Sequence, residues 1–176
     1  MNTIKQVLRW REEGVRTIGV EGYSGSGKTT LARSLVEQIG GAEVFSVDDF
    51  TQEVDPRTFI IHEEPNAILE QYVKNQGIEE LVRNVAAADA AQLIIIEGPF
   101  LLHEASVGHM IDRLIYIEAD MKAADARRSR REGFHEPPIE LRELSGYFKK
   151  AYSFYVKNYQ IKDGADLVIP LYPYSG

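Results

Sequence analysis

The sequence predicts an α/β fold in which a parallel sheet of five strands is covered by helices on both faces. Three observations lead there. β-prone runs alternate with helical stretches along most of the chain. One run, Leu93-Ile94-Ile95-Ile96, is continuously apolar and rich in branched residues, as in a strand buried on both sides. Residues Gly22-Tyr23-Ser24-Gly25-Ser26-Gly27-Lys28-Thr29 fit G-x-x-x-x-G-K-[ST], a loop that leaves a strand and opens a helix.

The elements follow in order. Ile4, Val7, Leu8 and Trp10 occupy one side of a helix, so residues 3–13 form a short leading helix that Gly14 ends. Thr17–Glu21 is the first strand. After the glycine-rich loop, Leu31, Leu35 and Ile39 recur at helical spacing, with Ala32 and Val36 beside them, and Gly40-Gly41 closes that helix. Ala42–Val47 is the second strand, and residues 51–64 look irregular, with Pro56 and Pro65 as breaks. Ile78, Leu81, Val82 and Val85 give an amphipathic helix that runs into an alanine-rich stretch near 86–91. The third strand is 92–96 and the fourth 114–117. Met121–Glu132 is an arginine-rich helix. Leu141, Leu144, Phe148, Ala151, Tyr155 and Tyr159 mark a long amphipathic helix from about 138 to 160, and Leu167–Ile169 is the fifth strand. No repeat, linker or low-complexity tract divides the chain, so 1–176 reads as one domain.

The glycine-rich loop carries a specific chemistry. Glycines let the backbone wrap tightly, so that successive N–H groups point inward at phosphate oxygens. Lys28 can reach the β- and γ-phosphates, the Thr29 hydroxyl can ligate Mg²⁺, and a helix starting at Lys28 presents its positive end to the same anion. In a parallel sheet, ligands bind beyond the carboxyl ends of the strands. Asp48-Asp49-Phe50 follows the second strand and Glu97-Gly98-Pro99 the third, so three carboxylates are directed toward a bound triphosphate. Such carboxylates are unfavourable there unless Mg²⁺ lies between, or one of them takes a proton from a nucleophile. The cluster Arg127-Arg128-Ser129-Arg130-Arg131 places Arg127 and Arg131 on one helical face. Arginine forks onto phosphate oxygens, so this helix reads as a lid over a nucleotide, spanning about 121–138. Gly133 beside it suits a hinge or a helix C-cap.

Composition removes other classes. With 20 Lys and Arg against 27 Asp and Glu, the net charge is −7, which argues against broad binding to nucleic acid or anionic membrane. The absence of cysteine excludes disulfides, thiolate zinc sites and a thiol nucleophile. His62-Glu63 and His103-Glu104 begin like a zinc helix motif, but Asn66 and Val107 stand where the second histidine is needed. No apolar run approaches membrane-spanning length, and charged residues interrupt the N-terminal stretch where a signal peptide has its apolar region. The expected compartment is the cytoplasm.

On these residues the chain resembles the uridine kinase and nicotinamide riboside kinase group of small P-loop kinases, from about Thr17 to Pro170. The resemblance implies a P-loop NTPase-type three-layer α/β/α fold with an Arg-rich helical lid. It implies a nucleotide site made by Gly22, Ser24, Gly25, Ser26, Gly27, Lys28, Thr29 and Thr30, with Arg127 and Arg131 closing over it. It also implies that Asp48 is the base, that Arg128 and Glu63 hold a ribose, and that Arg131 contacts phosphate. Glu63 and Ala67 look similar to the family's Asp-x-x-x-Ala ribose pattern, with a carboxylate one methylene longer. Thr51 stands where the family commonly has an aromatic residue, and Gly133-Phe134-His135 follow the lid arginines in place of a tyrosine. Phe50, Phe100, Phe134 and His135 are the aromatic groups available to stack on a base, though Phe50 and Phe100 suit the core better.

The expected activity is Mg·ATP-dependent phosphorylation of the 5′-hydroxyl of a nucleoside. Catalysis falls to Asp48, Lys28 and Arg131, substrate binding to Asp48, Glu63 and Arg128, and metal binding to Thr29, Glu97 and Asp49. The partners expected are small molecules, not nucleic acid or membrane. Another small alcohol such as pantothenate is an alternative acceptor. A sugar phosphate ranks lower, because residues 51–64 carry only Arg57 as an extra cation. A nucleotide-hydrolysing switch is the alternative from another class, but the chain has no Asn-Lys-x-Asp motif for reading guanine.

Overall fold

The computed structural model describes residues 2–52, 63–90, 92–131, 133 and 139–171. Five strands form one sheet: β1 (Thr17–Gly22), β2 (Ala42–Ser46), β3 (Leu93–Gly98), β4 (Arg113–Ala119) and β5 (Leu167–Leu171). Their order is β2-β3-β1-β4-β5, and every pairing is parallel. The register sets Val20 beside Glu97 and Ser46 beside Glu97, so the carboxyl ends of β1, β2 and β3 finish level. From β1 the chain crosses to the edge strand β2 and returns to β3 between them, then passes to β4 and β5 on the other side of β1. The crevice at such a reversal is where ligands bind in open α/β sheets.

The helices are α1 (Thr3–Glu12), α2 (Lys28–Ile39), α3 (Val47–Phe50), α4 (Pro65–Lys74), α5 (Ile78–Ala87), α6 (Ala105–Gly108), α7 (Met121–Arg131), α8 (Ile139–Asn158) and α9 (Ile161–Gly164). Alternation along the strands sends their side chains to the two faces of the sheet, one core on the first and two on the second. Ile18, Val20, Ile95, Ile115 and Ile117 meet Val7, Trp10, Ala32 and Leu35 of α1 and α2. On the opposite face Ile94 and Ile96 pack with α5, while Leu114 and Tyr116 join a core built by α4 and α8. The core between α4, α8 and the sheet is aromatic. Tyr23, Phe100, Tyr152 and Tyr155 are all buried in it, with Phe148 and Tyr72 against them.

Most expected elements are present, and the departures have local causes. Pro65 is no break: it lies in the first turn of α4, where its missing N–H has no helical partner to lose. The helix it opens, carrying buried Ile68, Leu69 and Val73, was not anticipated from the sequence. Val47 leaves the second strand and starts the single turn α3, which carries Asp48 and Asp49. Leu8 is 38% exposed, so the buried side of α1 is formed by Val7 and Trp10 without it. Pro56, Arg57, Phe134 and His135 lie outside the described residues. Among the described residues, no helix is long and apolar enough to cross a membrane.

Candidate active site

The loop between β1 and α2 is shaped by residues that only this backbone tolerates. Gly25 has φ +77°, and a Cβ placed there would lie 2.5 Å from the carbonyl oxygen of Ala124, so α7 rests directly on the loop. Gly27 precedes α2 in a left-handed conformation, and the helix begins at Lys28. The Ser26 amide donates to the Tyr23 carbonyl at 2.9 Å. The Ser26 hydroxyl is buried and, among the described residues, has no hydrogen-bond partner. A Cβ on Gly22 would lie 2.6 Å from this hydroxyl oxygen and 3.2 Å from the Ile117 carbonyl oxygen, so the hydroxyl packs behind the loop against β1 and β4.

Lys28 is 6% exposed, and its Nζ donates to the Tyr23 carbonyl at 3.1 Å. Burial pulls its pKa down, while the nearby carboxylates of Glu97, Glu21 and Asp48 favour the charged ammonium and Arg131 opposes it. Four charged groups from β3, β1, α3 and α7 therefore act on this one lysine. Glu97 is 1% exposed, and its Oε1 accepts from the Thr29 hydroxyl at 2.9 Å and from the Ser46 hydroxyl at 2.8 Å. Thr29 and Glu97 are thus in direct contact, as a hard-oxygen Mg²⁺ site needs once phosphate oxygens and water fill the remaining positions. Among the described residues, no group of three or more His, Asp or Glu forms a closed metal cage. These residues fit a metal shared with a nucleotide rather than one held by protein alone.

Asp48 and Asp49 are both exposed on α3. Close packing behind them fixes that turn: a Cβ on Gly98 would lie 2.6 Å from Val47 Cγ2. Only glycine after Glu97 lets α3 seat against β3, which brings Asp48 to the strand end that carries Glu97. Of the arginines on α7, Arg127 donates through Nε to the Gly25 carbonyl at 3.1 Å. Arg131 is exposed at the end of the helix, yet close enough to bear on Lys28. Gly133 has φ +78° and donates its N–H to the Arg130 carbonyl at 3.2 Å, the geometry of a helix C-cap.

Two expected substrate contacts stand apart from this group. Arg128 donates through Nη2 to the Ser145 hydroxyl at 3.0 Å and lies 3.8 Å from Asp125, so it is engaged between α7 and α8. Glu63 is exposed ahead of α4, and among the described residues no hydrogen bond or ion pair draws it to the phosphate loop. Phe100 is 2% exposed and Phe50 packs against the core beside α5, in agreement with a packing role for both. Tyr23, inside the loop, donates from its hydroxyl to Asp125 at 3.0 Å, and burial followed by the Asp125 charge raises its pKa.

One carboxylate at the site was missed altogether. Glu21, the penultimate residue of β1, is fully buried, and burial pushes its carboxyl up to about 7 despite hydrogen bonds and the Lys28 charge that act the other way. The signal in the sequence was an acidic side chain ending an apolar strand just ahead of the phosphate loop.

A parallel β2-β3-β1-β4-β5 sheet, a phosphate loop after β1 and a carboxylate at the end of β3 bonded to the loop threonine define an α/β fold of the P-loop kinase type. The comparisons agree with that class. The chain is 26% identical over 181 residues to a protein of Halobacterium salinarum named uridine kinase, covering 87% of this chain and 79% of that one. It is also 26% identical over 157 residues to nicotinamide riboside kinase 1 of Mus musculus, covering 81% of this chain and 77% of that one. A solved structure described as a possible uridine kinase from Bacillus stearothermophilus superposes with a TM-score of 0.59 at 20% identity, covering 88% of each chain, a likeness of fold. No protein-family model matches the chain.

Proposed function

We propose that this chain is a Mg·ATP-dependent kinase that transfers the γ-phosphoryl group to the 5′-hydroxyl of a nucleoside, of the uridine, cytidine or nicotinamide riboside type. One observation carries the reading most: behind buried Lys28, the Thr29 hydroxyl of the phosphate loop donates to buried Glu97 of β3 at 2.9 Å, with Asp48 and Arg131 also bearing on Lys28. The names of the relatives from Halobacterium salinarum and Mus musculus support a nucleoside as acceptor.

In this reading the loop amides and Lys28 hold the phosphates. Thr29 would ligate Mg²⁺, with Glu97 and Asp49 acting through water; the bound ion would supply positive charge against the phosphate oxygens. Asp48 accepts the proton of the incoming hydroxyl as its oxygen bonds to the γ-phosphorus, and the bond to the ADP oxygen breaks. Lys28 and Arg131 offset the charge on the transferring group. Glu63 and Arg128 grip the ribose, which requires Arg128 to exchange Ser145 for a substrate hydroxyl. The lid, 121–138, closes over the site and excludes water, within one catalytic domain spanning the chain.

The deciding experiment incubates the protein with Mg·ATP and a panel of nucleosides, pantothenate and sugars, and detects products by mass. A nucleoside monophosphate is the expected product. Phosphate release that no acceptor alters would remove the kinase reading in favour of a hydrolytic switch.

A further inference from the structure

Glu21 is the most heavily engaged side chain near the site, and the proposed reaction leaves it unused. Four donors converge on its two oxygens. Oε1 accepts from the Gly22 amide at 2.8 Å and the Tyr152 hydroxyl at 3.2 Å. Oε2 accepts from the Leu101 amide at 2.8 Å and the Tyr155 hydroxyl at 2.9 Å. The Tyr155 oxygen in turn accepts from the Leu102 amide at 2.9 Å. A carboxylate has about four lone-pair positions, and here each has a donor.

What these donors belong to matters more than their number. Gly22 is the first residue of the phosphate loop. Leu101 and Leu102 follow Phe100, which has φ +66°, a conformation uncommon for a bulky residue that persists only where its surroundings enforce it. That turn begins three residues after Glu97. Tyr152 and Tyr155 belong to α8, whose Ser145 also binds Arg128 of the lid helix. Glu21 further acts electrostatically on Lys28, together with Glu97 and Asp48.

We propose that Glu21 is a positioning residue for nucleotide binding: its carboxylate joins the first amide of the phosphate loop, the strained turn beyond Glu97 and helix α8 into one unit that holds the triphosphate cradle in shape before nucleotide arrives. The inference rests on the nucleotide-binding half of the proposed function and not on the identity of the acceptor. A cradle already formed spares the bound state the ordering of its own amides, which is the general source of affinity from preorganisation.

Glutamine at this position keeps the volume but sets an amide N–H against either the Gly22 or the Leu101 N–H, so one of the two backbone contacts must open. The test is ATP affinity by titration calorimetry on the full chain, with thermal melting of each variant alongside. Glu21→Gln is expected to weaken ATP binding about tenfold or more at a temperature where it is folded. Tyr155→Phe, which removes one donor and keeps the ring, weakens it in the same direction by less. Glu21→Asp restores the charge one methylene short and recovers part of the loss. A Glu21→Gln variant that melts earlier but binds ATP as the wild type does would reduce Glu21 to a structural residue and overturn the proposal. Should that variant not fold, Tyr155→Phe and Tyr152→Phe decide: affinity unchanged in both overturns it, and a loss in Tyr155→Phe supports it. A wild-type protein that binds ATP yet phosphorylates no nucleoside removes the acceptor reading and leaves the comparison of variants intact.

Discussion

At the phosphate end of the site Glu21, Ser26, Lys28 and Glu97 are buried, and Glu21, Lys28 and Glu97 are each held by named hydrogen bonds. At the acceptor end Asp48, Glu63 and the overlying Arg131 stand in solvent, and Arg128 is tied to Ser145 instead of the site. The difference follows from what each end must do. A buried charge is tolerable only with fixed partners, so the phosphate end is built in advance and stays rigid. An exposed charge is screened by water and acts weakly until closure removes that water. The acceptor end is therefore assembled when substrate and lid come together, and its power depends on closure.

The sharpest way to break this comparison is at Lys28. Lys28→Ala is expected to lower transfer at least about a thousandfold, since it removes both a phosphate contact and the charge that balances Glu97 and Glu21. A variant retaining a tenth of wild-type turnover in the product assay would mean that the buried end does not carry the reaction. Next is Asp48→Asn, which should cut kcat by at least about a hundredfold while ATP still binds, the usual scale of a general base. Loss of ATP affinity instead would assign Asp48 to the preformed end.

Gly98→Ala tests the joint between the two ends. The new methyl meets Val47, so α3 shifts, at a cost of about 1–3 kcal/mol for overpacking. Thermal melting should register a lowered Tm, and kcat should fall more than ATP affinity, because Asp48 moves and the loop does not. Equal losses in both would mean that α3 and the loop behave as one body.

The smallest effect concerns pH. The Glu21 carboxyl titrates near 7 in the folded chain against 4.5 as its ordinary value. Between those values the folded protein keeps a proton that the unfolded chain releases. Its contribution to stability is complete below about pH 4.5 and is lost as pH rises through about 7, with a slope of at most ~1.4 kcal/mol per pH unit. Denaturant unfolding of wild type and Glu21→Gln across this range should show that slope only in the wild type. Parallel curves would mean that the four donors keep Glu21 ionised throughout.

What could be read in advance divides along the same line. The phosphate loop, Thr29 and Glu97 were legible because their chemistry is written in consecutive residues at strand ends. Glu21 was not, because a glutamate ending a strand reads the same whether solvent or four donors surround it. Helix α4 was hidden by Pro65, which breaks a helix in its middle but begins one at its first turn. The engagement of Arg128 was equally invisible: Ser145 lies 17 residues further on, in another helix.

Local pattern alone settled the five strands, the place of the phosphate loop and the acidic residues at the ends of β2 and β3, since period, turn residues and motif spacing act over a few neighbours. Folding in three dimensions decided which charges are buried, that Gly98 must admit Val47, and that Glu21 gathers amides and phenols from β1, the turn after β3 and α8. Burial and long-range hydrogen bonding depend on residues up to 134 positions apart, a relation that no stretch of neighbouring residues encodes.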